Sequence, residues 1–345
     1  MASVSPLGVN YFVPSSPTTS TSARGSGARP AKVAPASVAG LRIGIVCNPK
    51  AHRNHGAEYE AGVPGADVTV AAPRTREALV EVMAELATRR IDLLVIDGGD
   101  GTVRDVLTAA EDQFGRDWPR VVVIPSGKTN ALAIDLGVPA GWTLADALAA
   151  VSTGGIVERR PVEVGHVGER GHAPLRGFLF GAGVFVDATE LAQHTHRMGA
   201  FNGVAVTLAL GWTILQTLFG PKTGSWRRGT PMRLRLAGHE PEMRHRYLLL
   251  ASTLGRLPVG LKPFGPAKRG LRLLSVDAPP KRLWLGAPAV VRGSEAAWLD
   301  GAGYHRLETT GFDVELDKGF ILDGELFPGG ELTVRQGPKL SFVVP

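Results

Sequence analysis

Two short stretches of this chain hold the residue types that bind phosphate. Gly98-Gly99-Asp100-Gly101-Thr102 follows the apolar run Ile91–Asp97, and Pro125-Ser126-Gly127-Lys128-Thr129-Asn130 follows a second apolar run ending at Ile124. Glycines at the end of a buried strand let main-chain N–H groups approach phosphate oxygens closely. A helix that starts there turns its positive end toward the anion. Asp100 would repel a bare phosphate, so its chemistry is either contact with Mg²⁺ or acceptance of a proton from a hydroxyl. Thr102 caps the following helix or touches phosphate. Lys128 is a mobile cation suited to the same anion. Two such turns on neighbouring strand ends imply a polyphosphate ligand.

Turns of this kind need a parallel sheet to carry them. Strands are predicted at Arg42–Cys47, Val68–Ala72, Ile91–Asp97 and Arg120–Ile124. Helices are predicted at Thr75–Arg90, Thr102–Glu111, Ala131–Leu136 and Thr143–Thr153. The first of these repeats Ala78, Leu79, Val82, Met83, Leu86 and Ala87 on one face. Continuous apolar strands alternating with helices indicate a doubly wound α/β fold whose sheet is covered on both faces. In such sheets ligands collect at the carboxyl ends of the strands.

After about residue 156 short alternating segments replace this rhythm: Val162–Val167, Gly177–Phe180, Met232–Leu236, Tyr247–Thr253, Leu271–Val276, Gly311–Leu316, Leu332–Val334 and Leu340–Val344. They predict an antiparallel β-sandwich over residues 157–345. Residues 1–40 are rich in Ser, Thr, Pro, Ala and Gly, carry three basic and no acidic residues, and are read as a disordered tail. An acid-poor, Ser-rich start also resembles a transit peptide. The nucleotide-binding domain is then 41–156.

Net charge is +6, a mild excess compatible with ordinary solubility, with nucleotides or with an anionic membrane surface. No basic run interleaved with aromatics suggests nucleic acid. The single cysteine, Cys47, rules out an intramolecular disulfide and fits a reducing compartment. No HExxH or paired CxxC provides a metal site. The expected location is cytoplasmic, with peripheral contact at the inner face of the membrane. The oligomeric state is left open between monomer and homodimer.

The ordered set of Asn48-Pro49, GGDGT and P-x-G-x-x-N-x-x-A resembles the catalytic domain shared by diacylglycerol, sphingosine and ceramide kinases and their bacterial relatives. The resemblance extends from residue 41 over nearly the whole chain. It implies an ATP cleft between the two domains, a lipid hydroxyl as acceptor, and Mg²⁺ travelling with ATP. By the same resemblance Asn48, Thr75, Gly98 to Thr102 and Gly127 to Asn130 contact the nucleotide. Glu325, in Asp323-Gly324-Glu325, is the proton acceptor, with Asp100 as the alternative. Asp187, at the end of Gly181-Ala182-Gly183-Val184-Phe185-Val186-Asp187, and Arg197 serve the substrate. The chain departs from the pattern at Arg104-Asp105, Lys128 and Ala131. At Pro266-Ala267-Lys268-Arg269-Gly270, Arg269 replaces an aspartate, so no structural magnesium site is expected. An NAD kinase-like enzyme and a non-catalytic lipid- or nucleotide-binding relative are the rivals.

No residue between Arg197 and Lys222 is charged. As a helix this stretch has the length to span a bilayer. Asn202, Thr207, Thr213, Gln216 and two glycines weaken that reading, leaving a core helix or one that lines an acyl-chain groove. Trp226-Arg227-Arg228 and Arg244-His245-Arg246 are candidates for anionic headgroups, or solvated turns.

Overall fold

Near-continuous apolar runs build a sheet that is buried on both sides. The computed structural model describes residues 38–48, 63, 65–168, 173–186, 228–266 and 270–345. Asp187, Arg197, Arg269, the uncharged stretch beyond Arg197 and the first 37 residues lie outside them. Strands β1 (Arg42–Cys47), β2 (Asp67–Ala71), β3 (Leu93–Gly98) and β4 (Arg120–Pro125) pair in parallel in the order β2-β1-β3-β4. Helices α1 (Arg76–Thr88), α2 (Asp100–Ala109), α3 (Glu111–Phe114), α4 (Ala131–Leu136) and α5 (Leu144–Thr153) follow in the alternation that the pattern predicts. Leu79, Val82, Met83 and Leu86 of α1 are buried. Thr75 stands just outside α1 and caps it, accepting the Ala78 N–H at 3.1 Å. Thr143 and Asp146 close a reciprocal capping box on α5.

The second half is antiparallel throughout. Its strands are β6 (Val162–His166), β7 (Leu175–Gly177), β8 (Leu179–Gly183), β9 (Thr230–Leu236), β10 (Glu242–Ser252), β11 (Leu271–Asp277), β12 (Tyr304–Thr309), β13 (Gly311–Leu316), β14 (Phe320–Leu322), β15 (Glu325–Phe327) and β16 (Gly330–Gln336). They form one curled 11-stranded sheet rather than two separate ones. The long strand β10 makes this possible. Its first half holds β9, and its second half holds β8 and β11. Phe180, Leu249, Leu271, Leu273, Phe312, Phe320, Phe327 and Leu332 fill the inside of the curl. Leu274 and Val276, on the opposite face of β11 from Leu273, join the core that runs into the α/β domain.

The last strand does not belong where the sequence reading places it. β17 (Leu340–Val344) lies in the first sheet, parallel to β4 and antiparallel to the edge strand β5 (Gly155–Arg159). A single boundary at residue 156 therefore does not describe the packing. Four of the five residues of β17 are buried, a pattern suited to a strand covered on both faces rather than to an alternating one. The chain crosses between the sheets twice, and the crossings are tied together. Gly337 N–H donates to Pro161 O at 2.9 Å, and Arg160 Nη1 donates to Gly337 O at 2.9 Å.

Phe342 is fully buried in β17. Phe342→Ala is expected to destabilise the protein by about 3–5 kcal/mol in urea unfolding.

Candidate functional site

The two glycine turns are packed back to back. A methyl group added to Gly127 would lie 2.3 Å from Gly99 Cα, a main-chain collision that no rotamer can relieve. Asn130 sits in the left-handed region at φ 52° and closes the second turn. Its Oδ1 accepts the Gly127 N–H at 3.0 Å, and its Nδ2 donates to Gly127 O at 2.8 Å. The Asn130 side chain therefore does not cap α4. Asp100 supplies that cap from the first turn, accepting the N–H groups of Ala131 at 2.9 Å and Leu132 at 3.1 Å. Below the turns, Ser126 Oγ donates to the buried Asp97 carboxylate. Asn48 Nδ2 donates to Thr102 Oγ1 at 3.1 Å, joining the loop after β1 to the opening of α2.

Most side chains of the two turns thus organise one another. The groups left facing outward are the ones that suit an anion. The N–H groups of Gly101 and Thr102, in the first turn of α2, have no acceptor inside the helix. Lys128 and Thr129 are exposed at the tip of the neighbouring turn. A glycine contact too tight for any Cβ, a helix start and a cation fit a polyphosphate. Asp100 is held by two backbone amides. Burial pushes its carboxyl above the ordinary aspartate range, and those amides pull the other way. Thr75 likewise spends its hydroxyl on the α1 cap.

Helix α2 also grips the β domain. Arg104, only 2% exposed, donates from Nε and Nη2 to Asp105 Oδ1 at 3.1 and 2.8 Å. Its Nη1 reaches Leu322 O at 3.2 Å, and its Nη2 pairs with Glu325 Oε2. The guanidinium lies 5.3 Å from the centre of the Phe327 ring. One turn further along α2, Thr108 Oγ1 accepts the Arg176 N–H at 3.0 Å. Arg176 pairs with Glu111 at 3.2 Å and Glu163 at 3.0 Å. A second bridge runs through Asp135 of α4, which takes Arg159 Nε at 2.6 Å and the Arg256 N–H at 2.7 Å.

Asp323-Gly324 is a two-residue hairpin turn between β14 and β15, with φ of 47° and 83°. Both values are positive, as a type I′ turn requires, and Asp-Gly is a favoured pair for it. The Asp323 carboxylate turns inward and accepts the N–H groups of Phe178 at 3.0 Å and Leu179 at 2.9 Å. It is pushed up to about 7, first by burial and then by repulsion from Asp100. Glu325 follows the turn, with its side chain 22% exposed. Burial raises its carboxyl, and Arg104 opposes the rise. Of these acids, Glu325 is the one held at the junction by a side chain instead of by backbone amides.

Residues 42–167 match the profile of the diacylglycerol kinase catalytic domain. This part of the chain belongs to the diacylglycerol kinase catalytic-domain family. A diacylglycerol kinase of Bacillus subtilis (strain 168) is 37% identical over 83 residues, 24% of this chain and 25% of that relative. The aligned region is thus about a quarter of the relative's length. A crystal structure of a diacylglycerol kinase from Bacillus anthracis str. Sterne superposes with a TM-score of 0.59 at 13% identity, over 88% of this chain and 97% of its own. Two further structures from that organism give 0.61 and 0.60 at 14% and 16% identity, over 88% of this chain and 96% and 97% of their own. At these identities the likeness shows the fold.

Within this diacylglycerol kinase catalytic domain the structure gathers Asn48, Gly98 to Thr102 and Gly127 to Asn130 into one site. It brings Glu325 to the same helix through Arg104. Thr75 lies at the start of α1, whose next residue, Arg76, is 3.8 Å from Asp105. The substrate residues Asp187 and Arg197 lie outside the described residues. Among the described residues no three His, Cys, Asp or Glu side chains gather as a metal site. Nor is any helix there long and apolar enough to cross a membrane. The sequence reading treats Arg104 as a departure from the family pattern and misses its clasp, because its partners stand more than 200 residues away.

Removing the guanidinium takes from the buried Asp105 its two hydrogen bonds to Arg104 and leaves Glu325 without that partner. Arg104→Met is therefore expected to cost about 3–5 kcal/mol in urea unfolding. Asp323 gives a pH signature. Unfolded aspartate ionises near ~3.9, so between about pH 4 and 7 the folded state holds a proton that the unfolded chain lacks. Stability falls as pH rises through that window and levels off above it. Asp323→Asn is expected to reduce this slope in Tm measured from pH 5 to 8. Some slope should remain, because Glu111 is also raised to about 7 by burial.

Proposed function

We propose that this protein binds Mg²⁺-ATP across its two glycine turns and transfers the γ-phosphoryl group to a lipid hydroxyl. The observation that carries the reading is the double role of α2. Its first turn offers unpaired N–H groups to phosphate, and Arg104, within its first two turns, holds Glu325 from the other domain beside it.

The opening N–H groups of α2 and Lys128 would bind the polyphosphate, and Glu325 would receive the proton of the acceptor hydroxyl. The oxygen–phosphorus bond to the acceptor forms as the bridging bond to the β-phosphate breaks, and ADP leaves. Mg²⁺ arriving with the nucleotide would supply neutralisation of charge on the phosphates. Raised basicity suits Glu325 to proton acceptance. Asp100 fits a second purpose. By capping α4 it fixes the spacing of the two turns before any ligand arrives, so positioning costs little at the moment of reaction. The family resemblance supports a diacylglycerol, a ceramide or a related sphingoid or acylglycerol as acceptor.

The test is transfer from γ-labelled ATP to a panel of diacylglycerol, monoacylglycerol, ceramide and sphingosine. One lipid should become labelled. Gly127→Ala should lose nucleotide binding and activity together. Glu325→Gln should keep nucleotide binding while kcat falls by about 10²–10⁴-fold, the usual worth of a general base. Nucleotide binding with no labelled lipid would make the protein a non-catalytic relative. Labelled NADP formed from NAD would make it a soluble-substrate kinase.

A further inference from the structure

Helix α6 (Leu283–Val291) is apolar on every side, LWLGAPAVV, and its buried residues lie on one side. Leu283, Gly286 and Val290 face inward and are buried. The inner contact is close and fixed. A methyl group on Gly286 would lie 2.4 Å from Tyr304 Cζ, so glycine is what lets the helix sit on β12. Tyr304 Oη donates to Lys281 O at 3.1 Å, and Arg306 Nη2 donates to Val290 O at 2.9 Å. Arg306 Nε also holds Pro263 O at 2.7 Å, and the Lys262 N–H donates to Val291 O at 2.8 Å. The loop 258–263 is thereby fastened to the end of α6.

The outer side is different. Trp284 is 68% exposed, Leu285 64% and Val291 37%, and the adjoining loop adds Val259 at 67% and Leu261 at 41%. Val259 also stands at φ 59°, a left-handed conformation that a β-branched residue rarely adopts. Exposed Lys262, Lys281, Arg282 and Arg292 surround these side chains, and none makes an ion pair with a described residue. Residues 278–294 contain no Asp or Glu, and neither do residues 243–276.

We propose that this face of α6 and the loop 258–262 docks on an anionic lipid bilayer. A helix that is apolar all round calls for a second apolar phase on its open side. Trp284 is suited to the boundary between headgroups and acyl chains. The four cations select an anionic surface. Their one-sided charge is what picks out a bilayer from a neutral protein surface. The docking stands independently of the transfer reaction. Arg244-His245-Arg246, a sequence candidate for this role, does not serve it. Arg246 is buried against Ser275, Met232 O and Glu242, and Arg244 pairs with Glu242 and Asp277.

The test is co-sedimentation of the full chain, without nucleotide, with phosphatidylcholine vesicles and with equal-part mixtures containing phosphatidylglycerol. The protein should bind the anionic vesicles and release them as salt rises. The double variants Trp284→Ser/Leu285→Ser and Lys281→Glu/Arg282→Glu should each weaken binding about tenfold or more. Unchanged circular-dichroism melts would show that both remain folded. Both should keep full activity on lipid dispersed in detergent micelles, which separates a docking failure from a failure of the kinase reading. Absence of binding to anionic vesicles would overturn the proposal, as would binding that neither variant reduces. So would a dimer that the Trp284→Ser/Leu285→Ser variant dissolves, because the face would then belong to a second copy of the chain.

Discussion

A buried cation, Arg104, clasps the two halves of this protein together. Arg104 is 2% exposed, and a guanidinium taken so far from water persists only where its hydrogen-bonding groups are used. Here Asp105, the carbonyl of Leu322 and the carboxylate of Glu325 use them, with the Phe327 ring nearby. Each partner fixes something different. Asp105 sets the guanidinium against its own helix. The Leu322 carbonyl ties that helix to the strand before the Asp-Gly turn. Glu325 is thereby delivered to the junction at a defined point. Since α2 begins at the first glycine turn, the helix that opens at that turn is also the one that positions the second domain.

The acids around this cation divide their work by what they accept. Asp100 and Asp323 accept backbone N–H groups and act as braces, one between the two glycine turns and one between a hairpin and β8. Both are raised by burial, and each backbone bond they accept opposes that rise. Glu325 is set apart by its partner. An ion pair with a side chain can be rearranged at lower cost than a main-chain contact, and its carboxylate keeps some access to solvent. Backbone bracing and side-chain pairing are in this way divided between Asp323 and Glu325, on either side of Gly324.

Much of the first domain was legible because its signals are local. Runs such as IDLLVID and RVVVI mark strands, the i, i+3, i+4 spacing of Leu79, Val82, Met83 and Leu86 marks α1, and the glycine turns follow each strand end. Other features resisted. Leu340–Val344 was read with the strands beside it, although its unbroken apolar character suits the parallel sheet where it lies. Several strands of the β domain are marked by alternation, but β7, β12, β14 and β15 are not, and the joining of all of them into one curled sheet depends on β10 serving three neighbours, which no local pattern encodes.

The sequence by itself determined the glycine turns at the ends of buried parallel strands and the β domain that follows them. Periodicity and turn chemistry act over a few residues and can be read in order along the chain. Only the tertiary structure decided which partners these residues meet. Asp100 became a helix cap because α4 starts beside it, Gly127 is required because Gly99 backs onto it, and Arg104 became a clasp because Glu325 stands across the junction. Each of those roles depends on a partner far away in sequence, and proximity of that kind exists only once the chain has folded.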